Sequence, residues 1–308
     1  MRILVTGASG FIGGNVVDYL ASNPVYHIIA SGRSVTTRFH QYHNVEYLPW
    51  DLSLQTKEIL CDVCIHCAGL ADDRSAEQLL FLHNIKATEN LLKSVQNCKQ
   101  LIFISSSSVY DFSDGKIKTE EDANLNNNLS LYGRSKLLAE NIAMQSGISS
   151  VYILRPRAVY GKGDRVLLPR ILQLIKNNRL IVPGSLQVSG SLTHIQNLCE
   201  AVAKAIEHQN TGIYIYNIAD KKPYLMKTVF SEILLNKTGG RRFIHVPVRV
   251  IKLLILINKI LHRTSQLSLQ SLKYITQHEV LNTEKAEREM QYSGEHEFYA
   301  SIEELISK

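Results

Sequence analysis

Short apolar runs recur along the first half of the chain, at Ile3 to Val5, Tyr26 to Ala30, Val45 to Leu48, Val63 to His66, Leu101 to Ile104 and Val151 to Leu154. Between most of them lie stretches with apolar residues three and four apart, notably Ile12 to Leu20, Ala76 to Val95 and Tyr132 to Gln145. Runs of the first kind suit strands buried on both faces, and the second spacing suits helices laid on a sheet. The alternation predicts an α/β fold, a doubly wound parallel sheet with helices on both faces. Ligands of such sheets sit outside the carboxyl ends of the strands. Past Arg157 the pattern loosens into segments such as Leu167 to Asn177, Asn197 to Glu207 and Thr228 to Asn236, with Tyr214 to Ile218 reading as a strand that returns to the main sheet. The predicted division is residues 1–160, with about 190–220 returning, for the sheet domain, and 161–189 with 221–308 for a smaller portion.

The first run leads into TGASGFIGG, Thr6 to Gly14, whose Gly7, Gly10 and Gly13 fit G-x-x-G-x-x-G, a close variant of the dinucleotide fingerprint. Gly7 permits a tight strand-to-helix turn, Gly10 lets a pyrophosphate approach, and Gly13 lets the helix pack close to the strand. The free amides and dipole of the following helix then face the phosphates. At the end of the second strand, where an NAD-specific site usually has an acidic residue, the chain reads ASGRS. Arg33 there suits a 2′-phosphate and favours NADP(H) over NAD(H), the alternative being a solvated arginine. Asp51, in PWDLS, is expected at the adenine edge.

A length of 308 residues with 45% apolar composition supports one large or one-and-a-half domains. The net charge of +6 and pI near 8.9 suit an anionic cofactor or substrate, and no basic block argues for nucleic acid. No charged leader and cleavage site precede the first strand, so a cytoplasmic location is expected. Cys61, Cys64, Cys67, Cys98 and Cys199 are then free thiols. CDVCIHC mimics metal spacing, but alternation along a strand would point Cys61 and Cys67 away from Cys64, so core packing is expected and no metal.

In LYGRSK, Tyr132 and Lys136 are four apart and share one helical face. A phenol titrating near pH 10 is a poor proton carrier at neutral pH, and an adjacent ammonium would lower it. A hydroxyl-rich strand end, ISSSSVY from Ile104 to Tyr110, precedes it by about one sheet crossing and would hydrogen-bond a substrate oxygen.

Together with WDLS, HCAGLAD, HNIKATENLL, LRPRAVYGKGD, YNIAD and LNTEKAEREM, these motifs resemble the extended short-chain dehydrogenase/reductases, the NAD-dependent epimerase/dehydratase branch, over nearly the whole chain. The resemblance implies a Rossmann domain with a C-terminal portion that caps the site and determines the substrate. It makes Tyr132 the acid/base, Lys136 the holder of the nicotinamide ribose, and Ser106, three before Val109, the hydroxyl that orients the substrate oxygen. It places Gly7, Ser9, Gly10, Phe11, Ile12, Gly13, Arg33, Asp51, Leu52, Cys67, Ala68, Gly69, Asn84 and Pro156 against the cofactor, and Ser107, Arg157, Ala158 and Arg165 against the substrate. It also implies a small-molecule substrate and a homodimer through the helices of Ala76 to Val95 and Tyr132 to Gln145, with a monomer as the alternative.

The resemblance narrows the reaction to hydride transfer between a carbinol carbon and nicotinamide. Sugar 4,6-dehydratases carry an acidic pair after the catalytic hydroxyl where this chain has Ser107 and Ser108, so dehydration is not expected. Two substrate classes remain. A hydrophobic 3-oxo or 3-hydroxy compound fits the likeness to 3β-hydroxysteroid-dehydrogenase-like bacterial members in LRPRAVYGKGDRVLLPRIL, SLTHIQNLCEAV and SSSSVYDF. A nucleotide-diphosphate sugar, for a 4-epimerase or 4-keto-reductase, would meet Arg157, Lys162, Arg165 and Arg170, although a frequent substrate-contacting asparagine is Ala158 here. A non-catalytic nucleotide-binding sensor is the remaining alternative. Finally, VIKLLILINKIL, 250–261, is too short to span a bilayer, which needs roughly 20 residues. It is expected as a greasy lid, an interfacial helix touching a membrane, or an ordinary packed helix.

Overall fold

In the computed structural model, residues 1–35, 37–208, 210–260, 272 and 276–306 are described. The main sheet comprises β1 (Arg2–Thr6), β2 (His27–Gly32), β3 (Val45–Pro49), β4 (Val63–His66), β5 (Gln100–Ile104), β6 (Ser150–Pro156) and, much later in the chain, Gly212–Ile218. All neighbours are parallel, in the order Gly212–Ile218, β6, β5, β4, β1, β2, β3. Strands β4, β5 and β6 are buried along their whole length, which explains why they read as continuous apolar runs.

Helices cover both faces. On one side lie α1 (Phe11–Ala21) and, after the site-forming elements below, Ile195–Glu207, packed on the cluster of Ile3, Val5, Ile65 and Ile102. On the other, α2 (Glu77–Leu80), a π-helical stretch (Phe81–Lys86), α3 (Ala87–Ser94) and α4 (Leu131–Met144) cover Leu4, Cys64, Leu101 and Ile153. The predicted helix over Ala76 to Val95 is thus one continuous run with a π-helical middle, a distortion that often accompanies function.

The helices after α4 are α5 (Leu167–Leu172), α6 (the Ile195–Glu207 helix just described), α7 (Met226–Thr238), α8 (Val248–Ile260), α9 (Glu284–Met290) and α10 (Phe298–Ile306). The short strands outside the main sheet are β7 (Val159–Tyr160), β8 (Ile175–Lys176), β9 (Arg179–Pro183), β10 (Ser189–Gly190), β11 (Thr193–His194), β13 (Tyr224–Leu225) and β14 (Phe243–Val246), and Gly212–Ile218 of the main sheet is β12 in chain order. The segment from Leu167 to Asn177 is helical only over α5, about one and a half turns. Asp164 caps α5 through the amides of Val166, Leu167 and Leu168 at 2.7–3.0 Å. Asn177 and Asn178, both at positive φ, then make a two-residue hairpin turn between β8 and β9.

The cysteine geometry also differs from expectation. Because β4 starts at Val63, alternation does not extend back to Cys61, which packs with Cys64 and Cys98 on one side of the sheet while Cys67 lies on the other. All five cysteines are free thiols, and among the described residues no cluster of three or more His, Cys, Asp or Glu could hold a metal. The last residue of the 250–261 stretch lies outside the described residues.

Asp220, after β12, joins β7, β11, α6 and β13. Its buried carboxylate accepts from the His194 amide (2.7 Å), Asn197 Nδ2 (2.7 Å), Tyr160 OH (2.7 Å) and Tyr224 OH (3.0 Å). Burial nevertheless holds its titration up at about 6. A carboxyl that binds its proton more tightly folded than unfolded adds stability below its ordinary value and loses it as pH rises through about 6. Asp220→Ala, which strands four donors, is expected to lower the unfolding free energy by about 3 kcal/mol or more in chemical denaturation. The stability of the wild type relative to Asp220→Asn is expected to be greater at pH 4 than at pH 7, and a flat difference would contradict this assignment.

Candidate active site

The carboxyl ends of β1, β4, β5 and β6 form one edge, and the loops leaving them carry most of the residues singled out above. Gly7 follows β1 with φ +68°, and a Cβ there would lie 2.7 Å from the backbone nitrogen of Ala68 after β4. Gly10 caps α1 without a side chain, so no side-chain acceptor competes for the first-turn amides around Phe11, Ile12 and Gly13. Ala68 N donates to Thr6 Oγ1 at 3.2 Å, which holds the β4 loop with Cys67 and Gly69 beside the glycine turn. These free amides and close backbone approaches fit the pyrophosphate half of a dinucleotide.

Farther along the edge, Ser9 Oγ and Tyr47 OH crowd Gly32 at the end of β2, and a Cβ there would meet them at 2.7 and 3.0 Å. A side chain is therefore first accommodated at Arg33, which is exposed and close enough to help hold the Asp51 carboxyl below its ordinary value against the opposing effect of burial. The hydrogen bonds of Asp51 go to Ser53 N (2.9 Å) and Ser53 Oγ (2.6 Å), beside buried Leu52. Arg38, not foreseen from the sequence, pairs with Asp18 at 2.6 Å and reaches Gly14 near the start of α1.

Asn84 sits in the π-helical stretch, and its amide is wholly engaged. It accepts from Leu70 N (2.7 Å) and donates to Leu70 O (3.1 Å) and Ser135 Oγ (2.9 Å), pinning the β4 loop to α4.

Tyr132, Ser106 and Lys136 converge between α4 and the end of β5. Ser130 caps α4 through the Gly133 amide at 3.0 Å. A Cβ on Gly133 would overlap Ser108 O, so only glycine lets the helix press this closely on the turn of Ser106 to Val109. That approach puts Tyr132 in hydrogen-bonding contact with Ser106. Lys136 Nζ donates to Ile104 O at 2.7 Å and lies 4.2 Å from the Phe103 ring centre.

The expected lowering of Tyr132 by Lys136 is not found. Burial pushes the phenol up to about 12; the hydrogen bond from Ser106 opposes this and the charge of Asp73 adds to it. Lys136 spends its ammonium on Ile104 O and itself titrates at about 8 because burial disfavours the charge, with Glu140 and Cys67 partly restoring it.

Glu140 and Arg155 were missed by the sequence reading. Glu140 is fully buried and accepts from Arg155 Nε (3.0 Å), Arg155 Nη2 (2.7 Å) and Ser105 Oγ. Its position four residues after Lys136, one turn along the same face, was the available signal.

A cavity of about 540 Å³ opens beside Tyr132 and the Ser106 hydroxyl. Ser107, Pro156 and Ala158, the last at φ +46°, line its sheet side, and Arg165 and Arg170 stand at its wall. Its far side is built from Leu168 and Ile171 of α5, Val229 and Phe230 of α7 and Phe298 of α10. Arg157 also lines it, but the guanidinium is buried and committed to Glu279 through Nε (3.1 Å) and Nη2, and to Ser191 O (2.7 Å). A more open depression of about 710 Å³ lies at the amino ends of β5 and β6, remote from these groups.

Residues 3–219 match the model of the NAD dependent epimerase/dehydratase family. The chain belongs to that family. It is 26% identical over 318 residues to a 4-hydroxy-2-methyl-3-oxo-4-farnesyl-3,4-dihydroquinoline-1-oxide ketoreductase of Stigmatella aurantiaca, covering 96% of this chain and 92% of that one. A decarboxylating sterol-4-alpha-carboxylate 3-dehydrogenase of Dictyostelium discoideum is 26% identical over 99% of both chains. Among solved structures, a UDP-glucuronic acid 4-epimerase from Bacillus cereus in complex with NAD superposes with a TM-score of 0.78, at 22% identity over 98% of this chain and 96% of that one. This family member is an enzyme of the extended short-chain dehydrogenase/reductase type with a nicotinamide cofactor. Tyr132→Phe is expected to lower turnover by about 10²–10⁴-fold, the range of a lost proton carrier, with nicotinamide binding unchanged in a fluorescence titration. Turnover within a few-fold of wild type would contradict the role of the phenol.

Proposed function

We propose that this family member is a secondary-alcohol dehydrogenase or ketoreductase that prefers NADP(H) and acts on a hydrophobic 3-oxo or 3-hydroxy compound. The observation that carries this reading is the lining of the cavity. Next to Tyr132 and Ser106 it is polar, and away from them it runs into the apolar side chains of α5, α7 and α10. A ketone at the end of an apolar body fits that gradient. Arg157 supports the same reading, because withdrawing it toward a diphosphate would leave Glu279 charged and buried. Two relatives matched along nearly their whole length are named for isoprenoid-bearing or sterol ketone chemistry, which agrees with it.

In this reading the amides after Gly10 and the turn at Gly7 receive the pyrophosphate, Asp51 and Leu52 border the adenine, and Arg33 meets the 2′-phosphate. Cys67, Ala68, Gly69 and Pro156 border the nicotinamide half, with Asn84 holding the loop in place. A bound nicotinamide supplies the hydride, and its positive charge when oxidised favours the phenolate. Ser106 Oγ donates a hydrogen bond to the carbonyl oxygen and polarises it. As negative charge develops there, the Tyr132 hydroxyl delivers its proton to that oxygen, and in the oxidative direction takes it back. Lys136, held by Ile104 O and backed by Glu140, turns its charge toward the ribose. The apolar walls exclude water and hold the carbonyl at the nicotinamide.

A second reading, a nucleotide-diphosphate-sugar 4-epimerase or 4-keto-reductase, is supported by Arg165 and Arg170 at the cavity wall. The discriminating experiment titrates cofactor-stripped protein with NADPH and NADH, then adds UDP, CDP, GDP, dTDP, a UDP-hexose, a 3-ketosteroid and a long-chain 3-oxo acid to the tighter complex. Tighter NADPH binding, reduced about tenfold by Arg33→Ser, and affinity for the apolar ketones are expected. Tighter NADH binding together with affinity for a nucleoside diphosphate would overturn the reading.

A further inference from the structure

Helix α8 turns an apolar face outward. Ile251 anchors it at 6% exposure, whereas Val250, Leu253, Leu254 and Ile257 are 45, 56, 52 and 40% exposed. These four follow the i, i+3, i+4, i+7 spacing and form one stripe. A helix packed on a water-soluble core has the opposite pattern, with its apolar stripe inward.

The chain around this stripe carries cations only. Residues 233–278 contain eight lysines and arginines and no aspartate or glutamate. Arg249 and Lys252 are exposed on α8 itself. The strand leading into α8 pairs with β9, and the hairpin places Lys176 opposite Arg179, with the Leu180 amide bonded to Arg242 O at 3.0 Å. Lys176, Arg179 and Arg242 are thus exposed on the same small sheet, while Arg241 is satisfied by Glu232 at 2.7 Å.

We propose that α8 seats this protein on an anionic lipid surface, with Val250, Leu253, Leu254 and Ile257 entering the acyl boundary and Arg249 and Lys252 reaching the headgroup phosphates. The helix has 13 residues, and among the described residues no helix is long and apolar enough to cross a membrane, so it lies in the interface. A second copy of the chain fits the stripe less well, because it would bring a second set of cations against the first with no carboxylate between them. Residues 261–278 offer no carboxylate either. An anionic bilayer supplies both an apolar boundary and negative charge. The inference is independent of the substrate, since it uses none of the cavity residues.

Co-sedimentation of the full chain with vesicles tests it. Partitioning onto vesicles of three parts phosphatidylcholine to one part phosphatidylglycerol is expected to exceed that onto phosphatidylcholine alone by about tenfold, and to fall as salt is raised. Leu253→Glu combined with Ile257→Glu is expected to reduce it about tenfold or more, with melting temperature and nicotinamide binding unchanged. Lys252→Glu should weaken it several-fold. No binding to anionic vesicles would overturn the proposal, as would equal binding by the double variant. So would a dimer that the double variant dissociates without any vesicle binding by the wild type, which would make a second copy the occupant.

Discussion

The catalytic edge hangs on a buried ion pair. Arg155 on β6 and Glu140 on α4 are both removed from water, and every polar atom that would otherwise be stranded there has a partner. Arg155 also donates to Tyr110 OH (2.9 Å) and Glu120 O (2.7 Å), and Tyr110 donates to Asn217 Oδ1 on β12 (2.6 Å). Ser105, at the end of β5, completes the carboxylate. A buried charge with one partner removed costs about 3–5 kcal/mol, so this network admits one placement of α4 against β5, β6 and β12. Lys136 lies one turn before Glu140 and Tyr132 one turn before that. The position of the Tyr132 phenol therefore follows from a salt bridge that does not itself line the cavity.

The same principle governs the elements that follow β6. Arg157 begins two residues past the first ion pair and is fixed to Glu279, 122 residues later in the chain. Asp220 ties β7, β13 and α6 together through four donors. Between these two anchors the cavity can be apolar without leaving backbone or charge unsatisfied. Its polarity gradient, hydroxyls at the sheet and hydrocarbon beyond, is a consequence of where the anchors had to stand.

Much of this was legible in one dimension because it is local. The apolar runs of β1 to β6 were found within one or two residues, as was the return of β12. The glycine turn and the Tyr132–Lys136 pair rest on spacings shorter than ten residues, and the structure brings both to the predicted edge. What escaped depends on distant contacts. Nothing near Glu279 announces a partner at Arg157, and Arg38 reaches α1 only after the chain has crossed β2. The Asn177–Asn178 turn was local and still missed, because Leu167 to Asn177 carries helical spacing up to the break. Cys61 was misplaced by extending strand alternation beyond the end of β4. The proton affinity of Tyr132 was misjudged for a related reason: a neighbour in sequence was credited with a charge that the fold directs to Ile104 O.

Under the proposed function, Tyr132, Ser106 and Lys136 serve the reduction, by hydride from NADPH, of a carbonyl at the end of an apolar body. The most direct measurement follows the transferred atom, by incubating the enzyme with NADPH deuterated at C4 on the transferred face and a 3-ketosteroid or long-chain 3-oxo acid, and locating the deuterium by mass spectrometry. One deuterium on the carbinol carbon of the alcohol is expected for each NADPH consumed. The proposed function is contradicted if the apolar ketones gain no deuterium while a UDP-hexose is interconverted with its 4-epimer and no net cofactor is consumed.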